Sequence, residues 1–315
     1  MSENDRVRPV DRHDDGRDPE VFMTMINTLR RRRSVPVKLF YAYWRDAHVQ
    51  IACRLPGIHS LWIHRVEYDE GALWPAVTGV ERFVPEPMRF DGIPEPTFFA
   101  AEDIGRFVTH MAPLMADERI FMEETISYQS HGSRTVVDRL DDPAPRGNQD
   151  VLRMMVFFRA AAGVSADEFR TWVSDDFAPT LAASPEVLKV RQHLLEPYDD
   201  TEVVLDAGAE EVSHSKPTED QYQAVLEVVV GDRLALARLA ASDLWRDTVP
   251  SQQTMLRAAH AYQASRTYCM RFNGELTTAG LRTVAVAELI AQLGAANQLA
   301  PDARHLVETG RPIGT

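Results

Sequence analysis

Apolar residues along the chain recur at two spacings, and the order of those spacings predicts the fold class. From Val21 a run rich in Met, Ile and Leu reads as a strand. After it, Phe40, Tyr43, Trp44, Ala47, His48 and Ile51 recur at i, i+3, i+4, i+7, i+8 and i+11, the stripe of an amphipathic helix. "LPG" stops this helix, and in the strand that follows Ile58, Trp62 and Val66 face one way while Leu61 and Ile63 face the other. A sheet with apolar groups on both faces must be covered on both. "FDGIPEPTFF" from Phe90 reads as a third strand, but Pro94 and Pro96 remove donors on the same side, which predicts a broken or displaced strand. A second helical region and a fourth strand from Tyr128 complete the order β-α-β-β-α-β.

The same order occurs twice. The stretches from Val21 and from Val151 run in parallel at an offset of 129, with Met25 on Met154, Phe40 on Phe169, Pro56 on Pro185 and His64 on His193. Both helix starts are marked, by Pro36 in the first helical turn of copy one and by a Ser165–Glu168 capping box in copy two. The endings "YQSHGSRTVV" and "YQASRTYCM" correspond with a two-residue gap. The expected fold is therefore α+β: two tandem ferredoxin-like domains closing on each other as an intrachain dimeric α/β barrel, with a C-terminal helical tail. The expected limits are a disordered tail over 1–19, a first domain over 20–140, a linker over 141–149, a degenerate second domain over 150–275 and a helical tail over 276–315. The tail contains an apolar helix, Val284 to Leu293, expected to dock on the body or on another subunit, which leaves a homodimer open. The acidic insertion "YDDTEVVLDAGAEEVSHSKPTED" reads as a mobile loop or hairpin placed to cover a pocket.

Composition narrows the partners. Hydrophobic residues at 44% and charged residues at 26% give a folded body, and a net charge of -13 argues against nucleic acid or an anionic membrane surface. The one basic block, Arg30 to Arg33, reads as a solvated loop, with a phosphate- or carboxylate-bearing substrate as the alternative. Cys53 and Cys269 lack metal-type spacing and read as packed thiols in a reducing compartment, without a disulfide. No stretch has the length of a membrane span, so a cytoplasmic location is expected. No zinc-type spacing and no Gly-rich phosphate loop occur.

His48 is the residue that breaks the pattern. It stands in an apolar stripe where copy two has Phe177, so the fold does not demand an imidazole there. A buried imidazole must find a hydrogen-bond partner, and apolar walls keep it neutral near pH 7 and able to accept a proton. The plainer reading is a core histidine bonded to a backbone carbonyl. His64 and His193 share a position on strand two, which suggests an architectural contact between sheets.

Phe40, Tyr43, Trp44, His48, Leu55-Pro56-Gly57 and Phe90-Asp91-Gly92 together resemble the EthD family of dimeric α/β-barrel proteins. The resemblance covers copy one well and copy two weakly, where Phe177 replaces the histidine and Ser184-Pro185-Glu186 replaces Leu-Pro-Gly. It implies a pocket between sheet and helices, one working site per chain, and chemistry without metal or organic cofactor. Related barrels include haem enzymes, whose ligand would come from the second-helix regions that hold His110 and His260. The expected site has His48 as general acid/base, with Tyr128 as a proton or hydrogen-bond donor, although Tyr262 at the matching place argues for a structural role. Phe40, Tyr43, Trp44, Trp62 and Phe98 are expected to bind substrate. The first reading of function is a cofactor-independent lyase, cyclase or dehydratase acting on a hydrophobic, aromatic or polyketide-like small molecule. The alternatives are a cofactor-free monooxygenase on a similar substrate and a non-catalytic binding or accessory protein.

Overall fold

The computed structural model describes residues 21–70, 73–140, 144–147, 149–199, 204, 208 and 211–313. The expected disordered tail lies outside them, as do 141–143 and 148 of the expected linker and much of the acidic insertion. The first unit comprises β1 (Met23–Arg31), α1 (37–52), β2 (Ser60–Tyr68), β3 (Gly92–Phe98), α2 (Ala101–His110), α3 (Ala112–Phe121) and β4 (Met122–Ser130). After β5 (Arg134–Asp138) and β6 (Arg146–Gly147), the second unit repeats the order. It comprises β7 (Leu152–Ala160), α4 (166–182), β8 (Val187–Leu194), β9 (Glu196–Pro197), β10 (Ala224–Val230), α5 (Arg233–Ala241), α6 (Asp243–Met255) and β11 (Leu256–Phe272). β12 (Glu275–Leu276) then leads to the tail helices α7 (Thr278–Arg282), α8 (Val284–Leu293) and α9 (Pro301–Thr309).

Strand order is β2-β3-β1-β4 in one half and β8-β10-β7-β11 in the other, the antiparallel ferredoxin-like arrangement in both. The halves are joined by exchange of their fourth strands. β11, 17 residues long, pairs first with β7 and then with β2, from Tyr262↔Tyr68 to Arg271↔Leu61. On the opposite side β4 pairs with β9 and β5 with β8, so the path of strands begins and ends on one ribbon and the barrel is closed. The two residues by which copy one exceeds copy two fall in Ser130-His131-Gly132-Ser133. There the long strand divides into β4 and β5.

β3 corrects the expectation of a broken strand. It is continuous, and its ladder to β2 runs unbroken from Ser60↔Thr97 to Arg65↔Gly92. The prolines open the other side instead: β1 pairs with β3 at Met23↔Phe98 and Thr24↔Thr97 and again only at Leu29↔Gly92. Missing donors therefore cost one ladder and leave the strand intact. In the second half β10 and β7 pair without a gap from Ala224↔Phe158 to Val230↔Leu152.

Inside the barrel, Ile26, Ile93, Phe157 and Tyr262 form part of an apolar cluster. Elsewhere in the lumen the fully buried Glu95 carboxylate lies 3.2 Å from His64 Nε2 and 3.4 Å from Arg191 Nε, so it ties one sheet to the other. A buried charge is tolerable only when paired in this way. The helices cover the outer faces, and each long loop after a second strand crosses to the opposite half. Trp74 packs edge-on against Phe158 and Trp245 in the second unit. Tyr198 and Val212 join the core of the first. The basic block is an intramolecular clamp: Arg30 and Arg33 meet Glu86, Arg31 meets Asp91 and Arg32 meets Glu211. Among the described residues no helix is long and apolar enough to cross a membrane.

Candidate active site

Four local features shape the wall that carries His48. Pro36 precedes the first turn of α1 at ψ 139, one residue earlier than its expected place, and the helix then runs Val37–Tyr43. A π-helical turn follows at Trp44–His48, before Val49–Ala52. The same π turn recurs at Trp172–Phe177, so it belongs to the fold rather than to the histidine. Gly57 ends the connection at φ +91, where a Cβ would lie 2.0 Å from the Asp103 carbonyl oxygen at the start of α2. At Gly92 a Cβ would lie 2.7 Å from the Trp44 ring, so the missing side chain lets Trp44 lie against the sheet.

Between α1, α2, α3 and the sheet lies a small cavity. Trp44, Leu61, Ile63, Phe107 and Met115 supply apolar walls, and Pro94 and Pro96 face Met25 and Asn27 where the ladder is open. The second half contributes Tyr198, the first residue of the acidic insertion. His48 enters from α1 and is 5% exposed. Its Nδ1 lies 2.9 Å from Asp117 Oδ2 on α3, and Asp117 Oδ1 accepts a 2.7 Å hydrogen bond from the Tyr43 hydroxyl. Phe121 meets both rings edge-on, at 5.1 Å from His48 and 5.0 Å from Tyr43.

The electrostatics of this chain are one-sided. Burial holds the His48 imidazole below its ordinary pKa, against the opposing pull of Asp117. Burial works to raise the Asp117 carboxyl, but the hydrogen bonds from His48 and Tyr43 outweigh it and keep the group below the usual carboxylate range. The hydrogen bond to Asp117 and then burial push the Tyr43 hydroxyl up to about 12. The consistent state is a carboxylate that accepts from Tyr43 O–H and from His48 Nδ1–H. That tautomer leaves Nε2 as a lone-pair acceptor, and among the described residues no protein group bonds it.

Further polar side chains line the cavity, those of Asn27, Glu118, Thr125, Ser127 and Tyr198. Glu118, 4% exposed, lies next to Asp117, and its Oε2 is 3.8 Å from His214 Nε2 of the second half. Asn27 on β1 holds a carboxamide oxygen that is buried without a hydrogen-bond partner. Counting back from the strands that follow the helices, Asp117 corresponds to Ser251; Asn27 corresponds to Val156 at the offset of 129. The halves thus differ in the residues that make this cavity polar. In the second half Phe177 stacks on Trp172 at 4.7 Å and meets Phe158 at 5.9 Å, so rings occupy the place of the imidazole.

The structure brings together only some of the expected residues. His48 and Trp44 line the cavity, and Tyr43 acts on it through Asp117. Phe40 lies behind Trp44, stacked at 6.1 Å, and Phe98 packs on Phe107. Trp62 is on the opposite face of β2 from Leu61 and Ile63, next to Phe272. Tyr128 is in the lumen, across the sheet from His48; its hydroxyl accepts from the Tyr222 backbone N–H, and burial pushes its pKa up to about 12. Asp117, Glu118, Asn27 and Tyr198 were not singled out by sequence reasoning. The available signal was that a buried imidazole requires a polar partner, and the acidic pair in "MADERIF" lies on the helix that faces α1.

A haem would need an imidazole facing a broad cavity, with basic groups for its propionates. His110 is exposed, its Nδ1 2.8 Å from the Arg106 carbonyl. His260 lies on β11 and not in a helix, a correction to its expected place, and burial followed by the nearby Arg159 charge lowers its pKa to about 4. Among the described residues no lysine or arginine lines the cavity of His48. These residues do not fit a haem, and the described residues contain no cluster of three or more side chains suited to a metal ion.

No protein-family model matches the chain, and no curated protein matches it significantly. Solved structures that resemble it include a candidate monooxygenase from Lactobacillus acidophilus NCFM, at 9% identity and TM-score 0.44, covering 82% of this chain and 99% of that one. A candidate monooxygenase from Fusobacterium nucleatum subsp. nucleatum has 7% identity and TM-score 0.48, covering 82% and 98%. An anthrone oxidase-like protein has 9% identity and TM-score 0.46, covering 80% and 94%. At these values the likenesses carry no argument about activity.

Proposed function

We propose that this chain is an enzyme that performs cofactor-independent acid–base chemistry on a hydrophobic small molecule, with His48 as the general base. One observation carries the reading: the Tyr43–Asp117–His48 chain ends with an unpaired imidazole nitrogen in an apolar cavity. The resemblance of the Phe40-to-Gly92 signature to the EthD family supports it. In this reading a C–H or O–H next to a carbonyl gives its proton to Nε2. The Asp117 carboxylate then faces the imidazolium that forms, and the surrounding rings exclude water. A positioned base contributes about 10²–10⁴-fold in rate. The captured proton can be returned to the substrate carbon or oxygen, or passed to a leaving hydroxyl, which is the lyase or dehydratase outcome.

A screen of small aromatic carbonyl compounds for turnover, with mass spectrometry of the products, supplies a substrate for the test. His48→Ala is expected to lower kcat by about 10²–10⁴-fold while ligand affinity stays within a few-fold. Full turnover by that variant removes the base assignment. Oxygen uptake accompanying turnover by the native protein selects the monooxygenase form of the same base step.

A further inference from the structure

A second cavity, of about 420 Å³ and larger than the one beside His48, lies between α8, the chain that follows it and the ladder of β6 and β11. That is the size range of sites for small organic ligands. Val284, Ala287 and Ile290 of α8, with Leu299, make its walls mostly apolar. Its polar lining is largely engaged inside the protein. The Tyr268 hydroxyl donates to Glu288 at 3.1 Å, and Arg266 lies 3.5 Å from the same carboxylate. Thr277 donates to the Cys269 carbonyl at 2.6 Å, and the Cys269 thiol to the Arg271 carbonyl at 3.3 Å. Arg304 donates to the Leu276 carbonyl and to Glu308. Arg146 and the Thr278 hydroxyl remain, with no side-chain partner among the described residues. Arg146 stands opposite Tyr268 in the ladder, so its side chain leaves the sheet on the cavity side, and it is exposed at the mouth. An uncommitted cation at the mouth of an apolar cavity, beside a carboxylate that is already paired, complements an anionic head on an apolar body.

We propose that this cavity binds a monocarboxylate with an apolar body, its carboxylate at Arg146 and its body along α8, as a site separate from that of His48. α8 is also the element whose Ala285 docks on Asp46 of the helix that carries His48, so a bound molecule braces that contact. Octanoate and octylammonium carry the same alkyl chain and opposite charges. Calorimetric titration of the full chain is expected to give a saturable octanoate site at least about fivefold tighter than octylammonium, the scale of an exposed ion pair. Arg146→Gln is expected to bring the two within about twofold of each other. Ala291→Trp fills the cavity from an exposed position and is expected to abolish binding, with Ala287→Leu as a second filling variant should the first fail to fold. His48→Ala is expected to leave binding unchanged, and octanoate is expected to slow hydrogen exchange at α8. No saturable octanoate binding, octylammonium binding as tight, an unchanged preference in Arg146→Gln, binding kept in both filling variants, or binding lost in His48→Ala overturns the proposal. A ligand-free homodimer that Ala291→Trp dissociates makes a second copy of the chain the occupant and overturns it as well.

Discussion

At the scale of single residues, Asp117 orients His48 and opposes the burial that lowers its proton affinity. The carboxylate favours the protonated imidazole and burial disfavours it. Asp117→Asn removes the favourable part, so the acid limb of the kcat/KM profile is expected to move to lower pH while the plateau falls at least about tenfold. A limb that stays in place or moves up would contradict the proposed pair. His260 gives a stability counterpart. Burial lowers its pKa to about 4 in the folded chain against an ordinary 6.5, so between those values the unfolded chain binds more protons. Folding stability is then intact above pH 6.5 and falls by about 3 kcal/mol as the pH drops towards 4. Urea unfolding of native protein and of His260→Gln across that range measures the contribution, and the variant is expected to show the shallower dependence. His48 was legible because its counterpart Phe177 shows that the fold manages without it. Asp117 was not, because it lies 69 positions away and only the packing of α3 against α1 selects it from the other acids.

At the scale of elements, most of the signature is packing. Gly57 and Gly92 are small because Asp103 and Trp44 approach them, and Asp91 accepts the Arg31 backbone N–H at 3.0 Å. Gly57→Ala is expected to cost about 2–4 kcal/mol in unfolding free energy, since the new methyl meets a backbone oxygen at a left-handed position. The prolines of β3 show the limit of reading sequence. Two missing donors on one side were visible, but whether a strand breaks or a ladder opens depends on the neighbour that keeps pairing, here β2. Replacing Pro94 and Pro96 by alanine supplies the donors. The added hydrogen bonds and the greater freedom of the unfolded chain largely offset, leaving stability within about 1 kcal/mol. Hydrogen exchange is expected to find the new amides protected, with ligand binding weakened as the open ladder closes.

At the scale of the whole molecule, the repeated order of elements was readable because both spacings and both helix starts recur. The exchange of fourth strands was not, although the two-residue gap between the endings marked the place where one seam divides. The tail docks on the helix that carries His48: the Asp46 carboxylate accepts the Ala285 backbone N–H at 3.1 Å, and Gln50 donates to the Ala279 carbonyl at 3.2 Å. We propose the units 20–140 and 150–275 as the halves. A protease-cleavable sequence placed between them is expected to yield, after cleavage, fragments that co-elute on size exclusion, because β11 and β2 still pair.

Carrying both halves of the barrel in one chain also lifts an evolutionary constraint. In a symmetric pair of identical chains, any change to a covering loop appears at both pockets at once. Here Tyr198 covers the pocket of the other half and Trp74 fills the space opposite, each encoded once. Selection can therefore specialise one chamber while the other becomes ballast, each without disturbing its twin.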